Sequence, residues 1–136
     1  MFRIAYTSRL NPAVGRAEIE SVLDESRARN RRDGVTEAWL MKGYDCLASL
    51  EGPPEAVRAA TERIWDDRRH DDFRLRDMRA TTLLLFKGWD LHFVDMEAAS
   101  VSEIEARDGL RWLCGFAGGV AAFKAHGLPQ ERDRED

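Results

Sequence analysis

The sequence predicts a single α+β domain: a ferredoxin-like, split β-α-β sheet with two helices on one face, followed by a C-terminal helical extension. Three observations predict it. The 136 residues are the length of one domain. Hydrophobic residues make up 43% of them, enough to bury one core. Their periodicity changes along the chain in the order strand, helix, strand, strand, helix, strand, strand.

Phe2 to Ser8 mixes apolar, β-branched and polar residues in a short run, as a strand does, and Asn11-Pro12 and Gly15 break it. From Arg16 to Asn30, Ile19, Val22, Leu23 and Ser26 follow the i, i+3, i+4, i+7 spacing of one helix face. The basic Arg27, Arg29, Arg31 and Arg32 sit where the helix dipole favours positive charge. Val35 to Met41 reads as a buried strand, Lys42-Gly43 as a turn, and Tyr44 to Leu50 as the hairpin partner. Glu51-Gly52-Pro53-Pro54 closes that strand and opens a second helix, since proline is tolerated in a first turn. Val57, Ala60, Thr61 and Ile64 form its apolar stripe, which runs to about Arg69.

Phe73 to Arg76 alternates as a strand, and Ala80 to Phe86 is apolar enough for one, their mutual boundary being open. Trp89-Asp90-Leu91-His92-Phe93 alternates again as a last short strand. Ser102 and Glu105 have capping-box spacing, and a helical tail is expected from there to about His126. Its apolar residues are Leu110, Leu113, Phe116, Val120 and Phe123. They suggest either a protein interface or a cover for the open face of the sheet. The expected organisation is a domain over 1–96, a helical extension over 97–128 and a disordered tail over 129–136.

Composition excludes several functions. Twenty-one basic against 25 acidic residues give a net charge of −4, which argues against nucleic acid as the main partner. No window reaches 18 apolar residues and the N-terminus lacks a signal-peptide core, so no membrane span and a cytoplasmic location are expected. Cys46 and Cys114 match no metal-ligand spacing; one disulfide is possible, and two reduced thiols is the preferred reading. His70, His92 and His126 form no ligand pair, and no glycine-rich loop leads from a strand into a helix. The acidic runs Asp66-Asp67 and Asp71-Asp72, interleaved with Arg68-Arg69, read as a solvated helix end. No enzymatic activity is expected.

Strand parity says more. Phe2, Ile4 and Tyr6 share one face of the first strand, and Tyr44, Cys46, Ala48 and Leu50 one face of the third. If those faces look toward the helices, Tyr6 and Ala48 look into the space beneath them. A buried tyrosine hydroxyl there needs a hydrogen-bond partner.

At this point the chain resembles the BLUF domain, a flavin-binding family of blue-light sensors. Tyr6-Thr7-Ser8-Arg9-Leu10-Asn11-Pro12 is similar to that family's first strand and loop. Ala28-Arg29-Asn30 and Gly34-Val35-Thr36 resemble its first helix end and second strand. Leu50-Glu51-Gly52-Pro53 resembles the end of its third strand, and Phe86, Trp89 and Leu91 the Phe, Trp and Met of its last one. The similarity runs without gaps from about residue 2 to 94.

The resemblance implies FAD between the two helices, with Tyr6, Arg29, Asn30, Ala48 and Arg63 as binding positions. Tyr6 stands for the photoactive tyrosine, Asn30 for the asparagine on the ring's polar edge, and Arg63 for a basic residue near the phosphates. Tyr6, Trp89 and Leu91 carry the signalling positions. The resemblance further implies a homodimer that signals through a protein partner. Ala48 stands where the family has glutamine, and it has neither donor nor acceptor, so the glutamine-based light response is not expected. Glu37 stands in place of a glycine, Arg29 in place of Asn or His, and Leu91 in place of methionine. A flavin-free BLUF-like interaction module is the alternative reading. An enzyme of the acylphosphatase kind is a third, though its loop of backbone donors is not evident.

Overall fold

The chain's computed structural model describes residues 1–98 and the helix at 108–116, the latter with the side chains of 109–113. The strands are β1 (Phe2–Leu10), β2 (Thr36–Lys42), β3 (Asp45–Gly52), β4 (His70–Ala80) and β5 (His92–Asp95). The helices are α1 (Arg16–Asp33), α2 (Pro54–Asp66) and α3 (Asp108–Phe116). The sheet order is β4-β1-β3-β2-β5, antiparallel except for the parallel pair β2–β5. This is the predicted ferredoxin-like α+β arrangement, with α1 and α2 on one face.

Both sheet faces are covered, so the central strand β3 is almost wholly buried. Under α1 and α2 lie Ile4, Tyr6, Trp39, Cys46, Ala48 and Leu50 with Leu23, Val57 and Ala60. The sets Phe2/Ile4/Tyr6 and Cys46/Ala48/Leu50 therefore do face the helices. On the other face Ala38, Leu40 and Leu47 meet Phe86, Met96, Leu110 and Leu113. Leu110 and Leu113 thus cover their own sheet and are spent inside the molecule. Phe116, Val120 and Phe123, and the capping box at Ser102 and Glu105, lie outside the described side chains.

Several boundaries differ from expectation for identifiable reasons. Helix α1 runs on to Asp33 because Gly34, at φ 73°, supplies the left-handed cap and donates its N–H to the Asn30 carbonyl. Asn30 is therefore inside the last turn rather than at the end. Helix α2 stops at Asp66, and Asp67 turns out to bind Arg69. Tyr44 lies in the turn, 44% exposed, and β3 begins after it.

Ala80 to Phe86 is not a strand. One long β4 already fills the free edge of β1 as far as Ala80, and the following loop is held by a side chain instead. The Glu51 carboxylate accepts the N–H groups of Leu85 (2.9 Å) and Phe86 (2.8 Å) and the Arg3 Nε–H (2.8 Å). Arg3 also donates to the Leu83 carbonyl at 2.8 Å and lies 4.8 Å from the Trp112 ring centre. Gly109 closes this assembly, since a Cβ there would lie 2.6 Å from the Leu85 carbonyl oxygen and 2.7 Å from Phe86. Trp89 likewise precedes the last strand, which starts only at His92.

Candidate functional site

A cavity of about 110 Å³ opens between α1, α2 and the sheet. Its floor follows from register. Tyr6 on β1 pairs with Ala48 on β3, and Ala48 with Trp39 on β2, so two aromatic rings flank an alanine in one row across the sheet. Tyr6 and Trp39 line the cavity and Ala48, wholly buried, does not. Ile19, Val22, Ile64 and Leu91 supply apolar walls. Because the cavity lies beneath them, Ile19 and Val22 are only half-buried although they sit on the inner face of α1.

The polar end of the cavity is built by two buried side chains seven residues apart. Asn30 donates from Nδ2 to Glu37 Oε1 at 2.9 Å and to the Asp90 carbonyl at 2.7 Å. Glu37 is 5% exposed, and burial pushes its carboxyl up to about 7 against the counter-pull of the Asn30 hydrogen bond. The Tyr6 hydroxyl is held well above its ordinary range, first by burial and then by the charges of Glu37, Cys46 and Asp67, so it stays protonated at neutral pH. No described residue hydrogen-bonds that hydroxyl. Trp39 Nε1 is also buried without a partner; Cys46 beside it is a free thiol, pushed up to about 11 by burial, whose thiolate form Trp39 and Ser8 would favour.

The rim is basic. Arg29 and Arg63 both line the cavity, and Arg63 is pushed down first by burial and then by Arg29. Each also has one carboxylate at the long end of ion-pair range, Arg29 with Glu25 at 3.8 Å and Arg63 with Asp33 at 3.9 Å. An anion between them would relieve that repulsion.

Tyr6, Arg29, Asn30, Arg63 and Leu91 are thus brought together at one cavity. Trp89 is not: it packs on the opposite face of the sheet, 5.9 Å from Phe86 and 4.8 Å from His92 between ring centres. Glu37 and Trp39 are the residues that sequence reasoning did not place in the site. Alternation along β2 was the signal, because Trp39 opposite Ala48 and Glu37 opposite Leu50 must share the cavity face. Among the described residues no group of His, Cys, Asp and Glu could hold a metal ion, and no helix is long and apolar enough to cross a membrane.

Glu37 gives the fold a pH signature. Its ordinary value is 4.5, so between about pH 4.5 and 7 the folded chain keeps a proton that the unfolded chain releases. Stability therefore falls as pH rises through that window, by about 2–3 kcal/mol between pH 5 and pH 8. Glu37→Gln should remove most of this loss. Urea denaturation of both proteins at the two pH values checks it, and parallel losses would show that the carboxyl titrates normally.

The fold and this cavity define an α+β domain with an open space between its helices and its sheet, which has apolar walls, a polar inner end and a cationic rim. The chain belongs to the BLUF family, sensors of blue-light using FAD, whose family model matches residues 1–92. Among solved structures it is similar to BlrB, a BLUF protein in its dark state, at 29% identity and a TM-score of 0.68, covering 71% of this chain and 73% of that one. A bacterial light-regulated adenylyl cyclase matches with a TM-score of 0.71 at 24% identity over 77% of this chain. Klebsiella pneumoniae BlrP1 in a manganese/cyclic-diGMP complex matches with a TM-score of 0.76 at 22% identity over 93% of it. The chain spans only 31% of the cyclase and 33% of BlrP1. No curated protein sequence matches at a significant level.

Proposed function

We propose that this chain is an FAD-binding sensory domain, acting through protein contacts as a homodimer, in which the glutamine-based light response is lost. The observation that carries the reading is the cavity itself, where Tyr6, Asn30, Arg29 and Arg63 face one space between α1 and α2. The apolar walls suit an isoalloxazine ring. Trp39 Nε1 is buried with no hydrogen-bond partner and Tyr6 lines the same cavity, so a ligand there is a natural partner for both. Arg29 and Arg63 suit the phosphates. When bound, FAD supplies blue absorption and an excited state that oxidises a nearby aromatic ring. Tyr6 is placed to donate that electron and holds its proton firmly, and Ala48 provides no side chain to relay it.

Blue illumination of the FAD-loaded chain should therefore give no stable red-shifted state in a light-minus-dark absorption spectrum. A reversible red shift in the wild type would overturn this. Ala48 pairs with Trp39, and Glu37 lies one diagonal step away across β2 and β3, within reach of a longer side chain at 48. Glu37→Gly/Ala48→Gln is therefore the variant expected to regain part of the shift.

The Asn30–Glu37 bond favours a second reading, a flavin-free interaction module, because it occupies the asparagine amide from within. The colour of the purified chain separates the two. A colourless protein that also takes up no added FAD would leave the module reading alone.

A further inference from the structure

We propose that Glu37, as a neutral carboxylic acid, is the residue by which this cavity recognises the imide edge of a planar ring. The inference rests on the flavin reading above and assigns a specificity-determining residue to that site. Its basis is geometric. Glu37 lines the cavity, is 5% exposed, and offers two oxygens in different situations. Oε1 accepts from Asn30 Nδ2 at 2.9 Å, whereas Oε2 has no partner among the described residues. The Asn30 N–H therefore selects Oε1 as the carbonyl oxygen and leaves the proton on Oε2.

A carboxylic acid so arranged carries a donor and an acceptor side by side. An imide edge, O=C–N–H, presents the complementary acceptor and donor, so the two can share a pair of parallel hydrogen bonds. An ionised Glu37 could only accept, and it would repel the imide carbonyls. Burial without a cationic partner raises the Glu37 carboxyl to about 7, so the acid form dominates at about pH 6 and still makes up about half of it at pH 7. The isoalloxazine ring of a flavin carries such an edge.

Other charged groups share the cavity. Helix α1 presents Glu25 and Arg29, α2 presents Arg63, and the residue that caps α2 is Asp67. The sheet side presents Tyr6, Cys46, Arg69 and His70. Only Glu37 is both at the inner end with Asn30 and raised to about 7. Asp67 is held below the usual carboxylate range by Arg69, and Tyr6 stays protonated, so neither changes charge near neutrality.

The test is the affinity of the flavin-free full chain for FAD and for N3-methyl-FAD, which lacks the imide N–H, at about pH 6 and about pH 8. FAD binding should weaken about tenfold between the two pH values, the loss of protonated Glu37 expected for a group titrating at about 7. Glu37→Gln keeps a donor beside an acceptor, so it should bind FAD with little pH dependence. N3-methyl-FAD should bind the wild type at least tenfold more weakly than FAD at about pH 6. Glu37→Ala should abolish most of that discrimination. FAD affinity that is flat with pH, or pH dependence that survives Glu37→Gln, would overturn the proposal and leave the flavin reading standing. Failure of the wild type to bind either flavin at both pH values would overturn the two together.

Discussion

Glu51→Ala should cost about 3–5 kcal/mol of stability, because it leaves a buried guanidinium without its counter-charge. Arg3 and Glu51 are both buried, 6% and 0% exposed, and meet at 2.8 Å. The same carboxylate is the acceptor for two backbone N–H groups of the loop after β4, and truncation strands those as well. The loss is a substantial share of the total stability of a domain this size. Urea denaturation with an unchanged m-value measures it. The double variant Arg3→Met/Glu51→Leu should lose far less than Glu51→Ala, since it removes both charges together. A loss below about 1 kcal/mol in Glu51→Ala would show that the loop is held by something else.

Phe86→Ala should cost about 3–5 kcal/mol through the cavity it leaves. Phe86 is wholly buried and bridges the sheet to α3, packing with Leu40, Leu47, Leu110 and Leu113. Collapse cannot refill the space easily: Gly109 already sits against the ring, and Glu51 pins the Phe86 N–H. Leu83, three residues earlier in the same loop, is 68% exposed. Leu83→Ala should therefore change stability by less than about 0.5 kcal/mol. Equal effects for the two substitutions in thermal or urea denaturation would refute the assignment of Phe86 to the core.

These two residues mark where the sequence was legible and where it was not. The sheet and helices were readable because each has a period: two for β1 and β3, and 3.6 for α1 and α2. Parity placed Tyr6 and Ala48 on the helix face correctly, and the same parity applied to β2 would have turned Glu37 inward beside Trp39. The loop at 81–88 has no period. Its apolar composition imitates a strand because Phe86 must be buried, and its anchor, Glu51, lies 34 and 35 residues away from the amides it holds. Trp89 misled in a similar way. Its segment alternates like a strand, yet its carbonyl and that of Asp90 are taken by the Glu37 N–H and the Asn30 side chain. In the site, Asn30 and Arg63 came from resemblance, and no local pattern shows that Asn30 would be paired with Glu37.

The two strands at the ends of the sheet order bear on how this molecule behaves in a crowd. A free strand edge is a template on which another chain can add a strand, and fibres grow that way. Here β5 is only four residues long. The longer β4 breaks register with β1 twice, near Tyr6 and Thr7, and Asp72 takes a left-handed φ of 52°. It also carries close ion pairs at Arg74–Asp72 and Arg79–Asp77. Among the described residues, neither edge offers a long, flat, uncharged row of amides. Short length at one edge, and bulges with charge at the other, work against edge-to-edge stacking into fibrils.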